Sequence, residues 1–336
     1  MKQPAEDLLP AVRAAARQWG LHDASIRPLG GGTANRNFLL SSPAGRHVLR
    51  LRNPRYAAPE ALAYYHGLMQ HLHRAGLQAP YPLPTVDGKL SLVTELGTLE
   101  LYPCLDGEPF DETQPAHRMH AAEALRRFHQ ATASFDHPYA HRQPRIDSPE
   151  MIRQGLEEIR AQTTDPEQLR ILEQLFQWHR RLVEALPDER FWALPCRVIH
   201  GDFHPANVTI SPTGLNLFDF DNSSWQPRLR DLADAMLFFC GRREGRFDAS
   251  TIVTLTKETT LDPARHDAFL QAYGPLTSEE AEALRWVVVA RWIYCRVDGR
   301  RKLPPAAWPA FVTNGVLPLL GQIEEGLLRP QKSNVR

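Results

Sequence analysis

The sequence has little cysteine and no net charge. Four cysteines, Cys104, Cys196, Cys240 and Cys295, are spread over 336 residues with no Cys-x-x-Cys pair. That spacing excludes a finger- or ribbon-type zinc site and a disulfide framework. Each thiol stands among apolar neighbours, as a small buried residue would. Lys plus Arg equals Asp plus Glu, 39 against 39, which removes the electrostatic basis for binding nucleic acid or an anionic membrane. The basic runs at 242–246 and 296–302 each contain an acid and read as solvated faces. Long apolar runs are missing too: the best, 286–293, contains Arg291 and is too short to span a bilayer. Residues 1–7 lack the apolar core of a signal peptide, so the expected location is cytoplasmic. Neither an internal repeat nor a low-complexity segment is present. What remains is an ordinary globular composition, 43% hydrophobic, long enough for one large or two medium domains.

The informative stretch is 197–221. The apolar pair Val198-Ile199 leads into His200-Gly201-Asp202, and Asn207 follows Asp202 with four residues between. Val208-Thr209-Ile210 and Leu215-Asn216-Leu217-Phe218 read as strands around the turn Ser211-Pro212-Thr213-Gly214. Asp219 and Asp221 stand beyond the second strand. A hairpin returns its ends to one place, so the pattern predicts convergence of Asp202, Asn207 and Asp219. Carboxylate and amide oxygens are what Mg²⁺ takes alongside phosphate. A further carboxylate can orient an acceptor hydroxyl and take its proton. An Asp, four residues, an Asn, then a metal-binding Asp after a hairpin is the kinase arrangement for phosphoryl transfer.

This stretch resembles the aminoglycoside phosphotransferase and choline kinase-like families, whose motif reads roughly His-Gly-Asp-x-x-x-x-Asn and then Ile-Asp-Phe/Trp-Asp. The resemblance implies that Asp202 is the catalytic base and that His200 braces its loop. It implies Asn207 and Asp219 as Mg²⁺ ligands, with Asp221 near the metal. It further implies an α+β, bilobal, protein kinase-like fold that uses ATP: a small antiparallel-sheet lobe over 1–103 and a larger helical lobe over 104–336. ATP and Mg²⁺ are expected between the lobes.

Other stretches fit that frame. Gly30-Gly31-Gly32-Thr33-Ala34-Asn35 lies between two strands, where backbone N–H groups can cradle phosphate. It is similar to the families' Gly-Gly-x-x-Asn-x-x-Tyr pattern, with Phe38 for the Tyr, and nominates Gly31, Gly32, Thr33 and Asn35 for nucleotide binding. The alternating strand at 46–52 places Arg50, with Arg52 second, where kinases carry a phosphate-contacting Lys. The helix at 59–75 should supply a Glu to that cation, but the expected position falls near Tyr65, and Glu60 lies at the wrong end. The helix itself resembles that of bacterial type II homoserine kinases. Leu101 and Tyr102 are expected at an adenine-binding hinge spanning 101–105. His129 resembles a family Leu-His element behind the catalytic loop, and Asp231 its Asp-Leu-Ala element. The last hundred residues read as helical. Among them Trp286, Arg291, Trp292, Tyr294 and Arg296 form either a wall for an acceptor carboxylate or ordinary core.

The resemblance thus implies an ATP- and Mg²⁺-dependent transfer to a hydroxyl of a small metabolite. Homoserine comes first as acceptor, then aminoglycoside, choline or sugar, with the enzyme a monomer or homodimer. Two alternatives remain open on sequence: a bacterial stress-response type protein Ser/Thr kinase, and a catalytically inactive nucleotide-binding protein.

Overall fold

The structure is a computed structural model and describes residues 4–30, 35–245, 247–248 and 251–328. In chain order the first elements are α1 (Leu9–Ala16), β1 (Ser25–Leu29), β2 (Arg36–Ser42), β3 (Gly45–Leu51) and α2 (Pro59–Arg74). They are followed by β4 (Leu92–Thr94), β5 (Gly97–Pro103), β6 (Glu108–Pro109), α3 (Pro115–Ala131) and α4 (Pro138–His141). Next come α5 (Pro149–Arg160), α6 (Pro166–Ala185), α7 (Asp188–Trp192) and β7 (Cys196–Ile199). The hairpin β8 (Val208–Ser211) and β9 (Gly214–Leu217) precedes β10 (Ser224–Pro227), α8 (Leu229–Phe238), β11 (Gly241–Arg243) and β12 (Thr259–Leu261). Four helices close the chain: α9 (Pro263–Tyr273), α10 (Ser278–Gly299), α11 (Trp308–Thr313) and α12 (Leu317–Glu324).

Contacts divide the chain into two units, Met1–Pro109 with Val208–Asp221, and Phe110–Asn207 with Asn222–Arg336. The first is built on a five-stranded antiparallel sheet ordered β1-β2-β3-β5-β4. Successive side chains on a strand face opposite ways. Phe38 and Leu40 of β2, Leu49 of β3, and Leu99 and Leu101 of β5 therefore pack with Val12 and Ala16 of α1 in one buried cluster. The intervening residues, Arg50, Arg52, Glu100 and Tyr102, share the other face, with Arg50 directly opposite Glu100.

The sequence division at 103/104 differs from the contact division for an identifiable reason. β6 pairs with β8, and Asn216 Nδ2 donates to the Asp106 carbonyl at 3.0 Å. Gln78, beyond α2, accepts the Leu217 N–H on its backbone at 2.8 Å and the Ser211 hydroxyl on its side chain at 2.8 Å. These bonds fix the β8–β9 hairpin to the sheet unit, although it lies more than 100 residues away in the chain.

The second unit is helical, with α10 packed against α8, α5 and α6, and α3 against α9. α10 begins at a reciprocal capping box: Glu280 N donates to Thr277 Oγ1, and Thr277 N donates to Glu280 Oε2, which satisfies two first-turn N–H groups. Two short strand pairs interrupt the helices, β7 with β10 and β11 with β12. The β11–β12 pair corrects the helical reading of the last hundred residues. Its strands are three residues each and stand fifteen residues apart, too short and separated to show a period-two signal. Burial of all four cysteines is corrected as well: Cys240 is buried, while Cys104, Cys196 and Cys295 are half-buried.

Candidate active site

The catalytic-loop residues belong to the helical unit. β7 ends at Ile199, and the chain turns sharply through Gly201 at φ 80°. A Cβ there would lie 2.1 Å from the Asn222 carbonyl oxygen, so both conformation and space demand glycine. Two consecutive residues of α8 hold this turn. Asp231 accepts the backbone N–H groups of His200 (2.7 Å, Oδ2) and Gly201 (2.8 Å, Oδ1). Arg230 donates to the Gly201 carbonyl at 2.9 Å, and its Nε reaches Asp147 at 3.2 Å. All three side chains are buried.

His200 is fully buried, with its ring near those of Phe128 and Phe203. Its Nδ1 accepts the Asp202 N–H at 3.4 Å, so it touches the loop backbone. Asp202 is different: its side chain is 35% exposed and its Oδ2 lies 3.6 Å from His204 Nε2. Burial opposes ionisation there, but the His204 and His200 imidazoles and the Arg291 guanidinium hold the carboxyl below its ordinary value, leaving it ionised and able to accept a proton. Asn207 donates its amide N–H to the Asp202 carbonyl at 2.9 Å. This leaves its amide oxygen as the end able to meet a cation.

The other candidates belong to the sheet unit. Asp219 follows β9 in the left-handed region at φ 63°, a sparsely populated conformation for a side-chain-bearing residue that recurs at functional positions. Its carboxylate is 34% exposed and lies 3.8 Å from Arg50 Nη1. Asp221 is nearly buried. Its Oδ2 accepts from Asn35 Nδ2 at 2.7 Å and its Oδ1 from Arg52 Nη1 at 2.7 Å, while its backbone carbonyl accepts from the Tyr65 hydroxyl at 2.9 Å. A cation at Asp221 would have to displace one of two charge-assisted or buried bonds.

Arg50 and Arg52 divide the work that sequence assigned to them in order. Arg50 lies between Asp219 and Asp221, at 3.8 Å from each, and against the Tyr102 ring at 5.6 Å. Arg52 is fully committed: its Nε donates to Glu100 Oε2 at 2.7 Å, and its guanidinium lies over the Tyr65 ring at 5.3 Å. The expected helix Glu is absent: the charges facing Arg50 are Asp219 and Asp221, and an acid on the neighbouring strand serves Arg52 instead. Glu100 takes the counter-charge, with His66 of α2 on its second oxygen, while Tyr65, at the expected Glu position, meets Arg52 through its ring.

Leu101 and Tyr102 sit within β5 and are buried. The Leu101 carbonyl accepts from Leu83 N at 2.8 Å, so that group is engaged inside the sheet. Gly31, Gly32 and Thr33 lie outside the described residues; Asn35 is described, and its Oδ1 accepts from Asn53 N at 2.9 Å. In the segment 286–296 the core reading holds. Arg291 donates to Asp234 from Nε at 2.8 Å, Arg296 to the Asn314 and Gly315 carbonyls at 2.8 and 3.1 Å, and Trp292 to the Val316 carbonyl at 2.9 Å. A cationic wall for a carboxylate is not available from side chains so engaged. Sequence reasoning missed Glu100, Asp147 and Arg230: Glu100 and Arg230 showed only as charges within a mostly apolar strand and helix, and Asp147 sits in a turn ahead of α5 with no pattern around it.

A model of the phosphotransferase enzyme family matches residues 25–282. The chain belongs to that family. The phosphotransferase is 32% identical over 267 residues to a homoserine kinase of Chelativorans sp. (strain BNC1), covering 77% of this chain and 74% of that one. It is 30% identical over 266 residues to a homoserine kinase of Sinorhizobium medicae (strain WSM419), with the same coverage. Among solved structures, a microcompartment-associated aminopropanol kinase superposes with a TM-score of 0.68 at 14% identity, covering 96% of this chain and 99% of that one. A spectinomycin phosphotransferase solved with ADP and spectinomycin superposes with a TM-score of 0.61 at 17% identity, covering 94% and 97%. The phosphotransferase therefore has the α+β kinase-like fold, and it is a small-molecule kinase that phosphorylates a hydroxyl group. Among the described residues no helix is long and apolar enough to cross a membrane.

Proposed function

We propose that this enzyme transfers the γ-phosphoryl group of ATP to the side-chain hydroxyl of homoserine or a closely similar small amino alcohol. The observation that carries the reaction type is the Asp202 loop. An ionised, one-third exposed carboxylate is held on a backbone that Asp231 and Arg230 fix from both sides. The acceptor is suggested by the homoserine kinases that match about three quarters of the chain.

In this reading Asp202 accepts a hydrogen bond from the acceptor hydroxyl, orients it for in-line attack and takes its proton. The amide oxygen of Asn207 and the carboxylate of Asp219 would hold Mg²⁺; a carboxylate and an amide oxygen are hard donors of the kind this ion takes. When bound, Mg²⁺ neutralises the phosphate charge that builds up during transfer. Arg50, facing the two aspartates across 3.8 Å, would meet nucleotide phosphate. Arg52 and Asp221 act as the strut behind it. Asn35 ties the strand after the glycine cluster to Asp221, and Gly31, Gly32 and Thr33 are proposed to cover the nucleotide. Leu101 and Tyr102 define the strand from which the adenine-binding segment departs. His200 positions the loop. The reaction takes place in the cytoplasm, where ATP and the acceptor are found, with the enzyme a monomer or homodimer.

The test is ATP consumption with Mg²⁺ across homoserine, aminopropanol, choline, sugars and aminoglycosides. The expected result is turnover highest with homoserine. Turnover with a sugar or aminoglycoside and none with homoserine would overturn the acceptor assignment. No turnover with any hydroxyl metabolite, in protein that binds Mg-ATP, would contradict the small-metabolite reading.

A further inference from the structure

Behind the catalytic loop runs a buried chain of hydrogen bonds that ends on a residue with no motif around it. Asp231 Oδ2 accepts from the His200 N–H and also meets His129 Nε2 at 2.9 Å; the other ring nitrogen, Nδ1, lies 2.8 Å from the Tyr273 hydroxyl. His129, Asp231 and Tyr273 are 1%, 0% and 2% exposed. The three come from α3, α8 and the last residue of α9, so tertiary packing alone assembles them.

The donor directions follow from chemistry. An ionised carboxylate only accepts, and several partners hold Asp231 below its ordinary value against the opposing effect of burial: His129, His200 and the Gly201 N–H. His129 Nε2 must therefore carry the proton. Burial pushes the imidazole below its ordinary value, against the pull of Asp231. A neutral ring protonated at Nε2 has a bare lone pair at Nδ1, so the Tyr273 hydroxyl donates there. Burial raises the phenol above its ordinary value, with Arg228 and Arg197 opposing, so the hydroxyl keeps its proton. The Arg228 guanidinium lies 5.5 Å from the Tyr273 ring centroid and hydrogen-bonds the Tyr273 side chain, and it is anchored in turn by Glu280 at 2.6 and 2.7 Å.

We propose that Tyr273 is a positioning residue for phosphoryl transfer: by donating to His129 Nδ1 it locks the Nε2–H tautomer, which in turn holds Asp231 on the backbone of the catalytic loop. In the opposite tautomer a nitrogen lone pair would face the Asp231 carboxylate, and the carboxylate would lose the partner that keeps it square to the His200 and Gly201 N–H groups. Tyr273 touches no reacting atom. It acts through three hydrogen bonds on the residue preceding Asp202. This inference rests on the kinase reading for its kinetic arm, but its spectroscopic arm stands without it.

The experiment compares the full-length wild type with Tyr273→Phe, which removes one oxygen and keeps the ring. Imidazole ¹⁵N NMR of the wild type is expected to show His129 protonated at Nε2 and bare at Nδ1. In Tyr273→Phe the Nδ1 resonance is expected to shift as its lone pair loses the hydroxyl donor. The kcat should fall about three- to tenfold, the scale of one lost buried hydrogen bond, with KM for the nucleotide unchanged. A wild-type His129 protonated at Nδ1 overturns the proposal, and so does a folded Tyr273→Phe with unchanged kcat or a loss confined to KM. If the variant does not fold, the wild-type spectrum decides alone. A wild type without any phosphoryl transfer would count against the kinase reading, and the imidazole spectrum would still report on the tautomer.

Discussion

Arg52 illustrates how much one buried charge depends on its neighbours. It lies on a sheet face with Glu100 as counter-ion, Asp221 at its other end and the Tyr65 ring beneath it. Removing one member of such a set strands the other charge, which costs about 3–5 kcal/mol. Burial alone would raise the Glu100 carboxyl, but the His66 and Arg52 bonds bring it down to about 2 from an ordinary 4.5. A folded-state value below the unfolded one means that the native protein binds fewer protons. The stabilisation is then complete above pH 4.5 and disappears as the pH falls through about 2. Glu100→Gln is therefore expected to lower unfolding free energy by about 3 kcal/mol at pH 7. The gap to wild type should narrow as denaturation is repeated between pH 4.5 and 2. A gap that stays constant over that range would contradict the ionic account. From sequence, Arg50 ranked ahead of Arg52, but both fall on one face of an alternating strand, so the buried commitment of Arg52 was not visible. Glu100 gave no sign of its role, since its partner is 48 residues away.

At the scale of elements, the catalytic turn is a closely constrained piece of backbone in the helical unit. Gly20 and Gly201 have similar positive φ, 74° and 80°, but a Cβ on Gly20 would meet nothing within 4 Å, whereas one on Gly201 would meet the Asn222 carbonyl at 2.1 Å. Gly20→Ala should cost only the conformational strain, about 1 kcal/mol. Gly201→Ala should cost more than ~2 kcal/mol and remove most turnover by displacing Asp202. Equal destabilisation of the two variants in urea would show that the close approach is relieved cheaply. The β8–β9 hairpin was legible because turn residues stood between two short apolar runs, and its observed strands agree with those limits to within one residue. The β11–β12 pair was not, for lack of any period. α10 was ambiguous for another reason: it is buried on nearly every side, so its tryptophans and arginines carried no directional pattern. The bonds of Arg291 and Arg296 tie both into the helical core, from which Arg291 also lowers the Asp202 carboxyl.

For the whole molecule, the family and the fold were legible because phosphoryl transfer fixes both residue type and spacing over a short stretch, 200–221. What was not legible is how that stretch is held. Asp231 was suggested by a motif that left its neighbour Arg230 unmarked, while Asp147 and Tyr273 come from segments with no shared pattern, and only the folded chain brings them to the loop. The division of the chain also followed tertiary bonds rather than order, since Gln78 and β6 draw the hairpin into the sheet unit. The central claim is that Asp202 acts on the acceptor and not on the nucleotide. The most direct measurement is the phosphoryl-transfer rate of Asp202→Asn with saturating acceptor, alongside its Mg-ATP affinity. The expected kcat is lower by about 10²- to 10⁴-fold, with nucleotide affinity within about threefold of wild type. Near-normal kcat in that variant, or a loss explained entirely by weaker nucleotide binding, would contradict it.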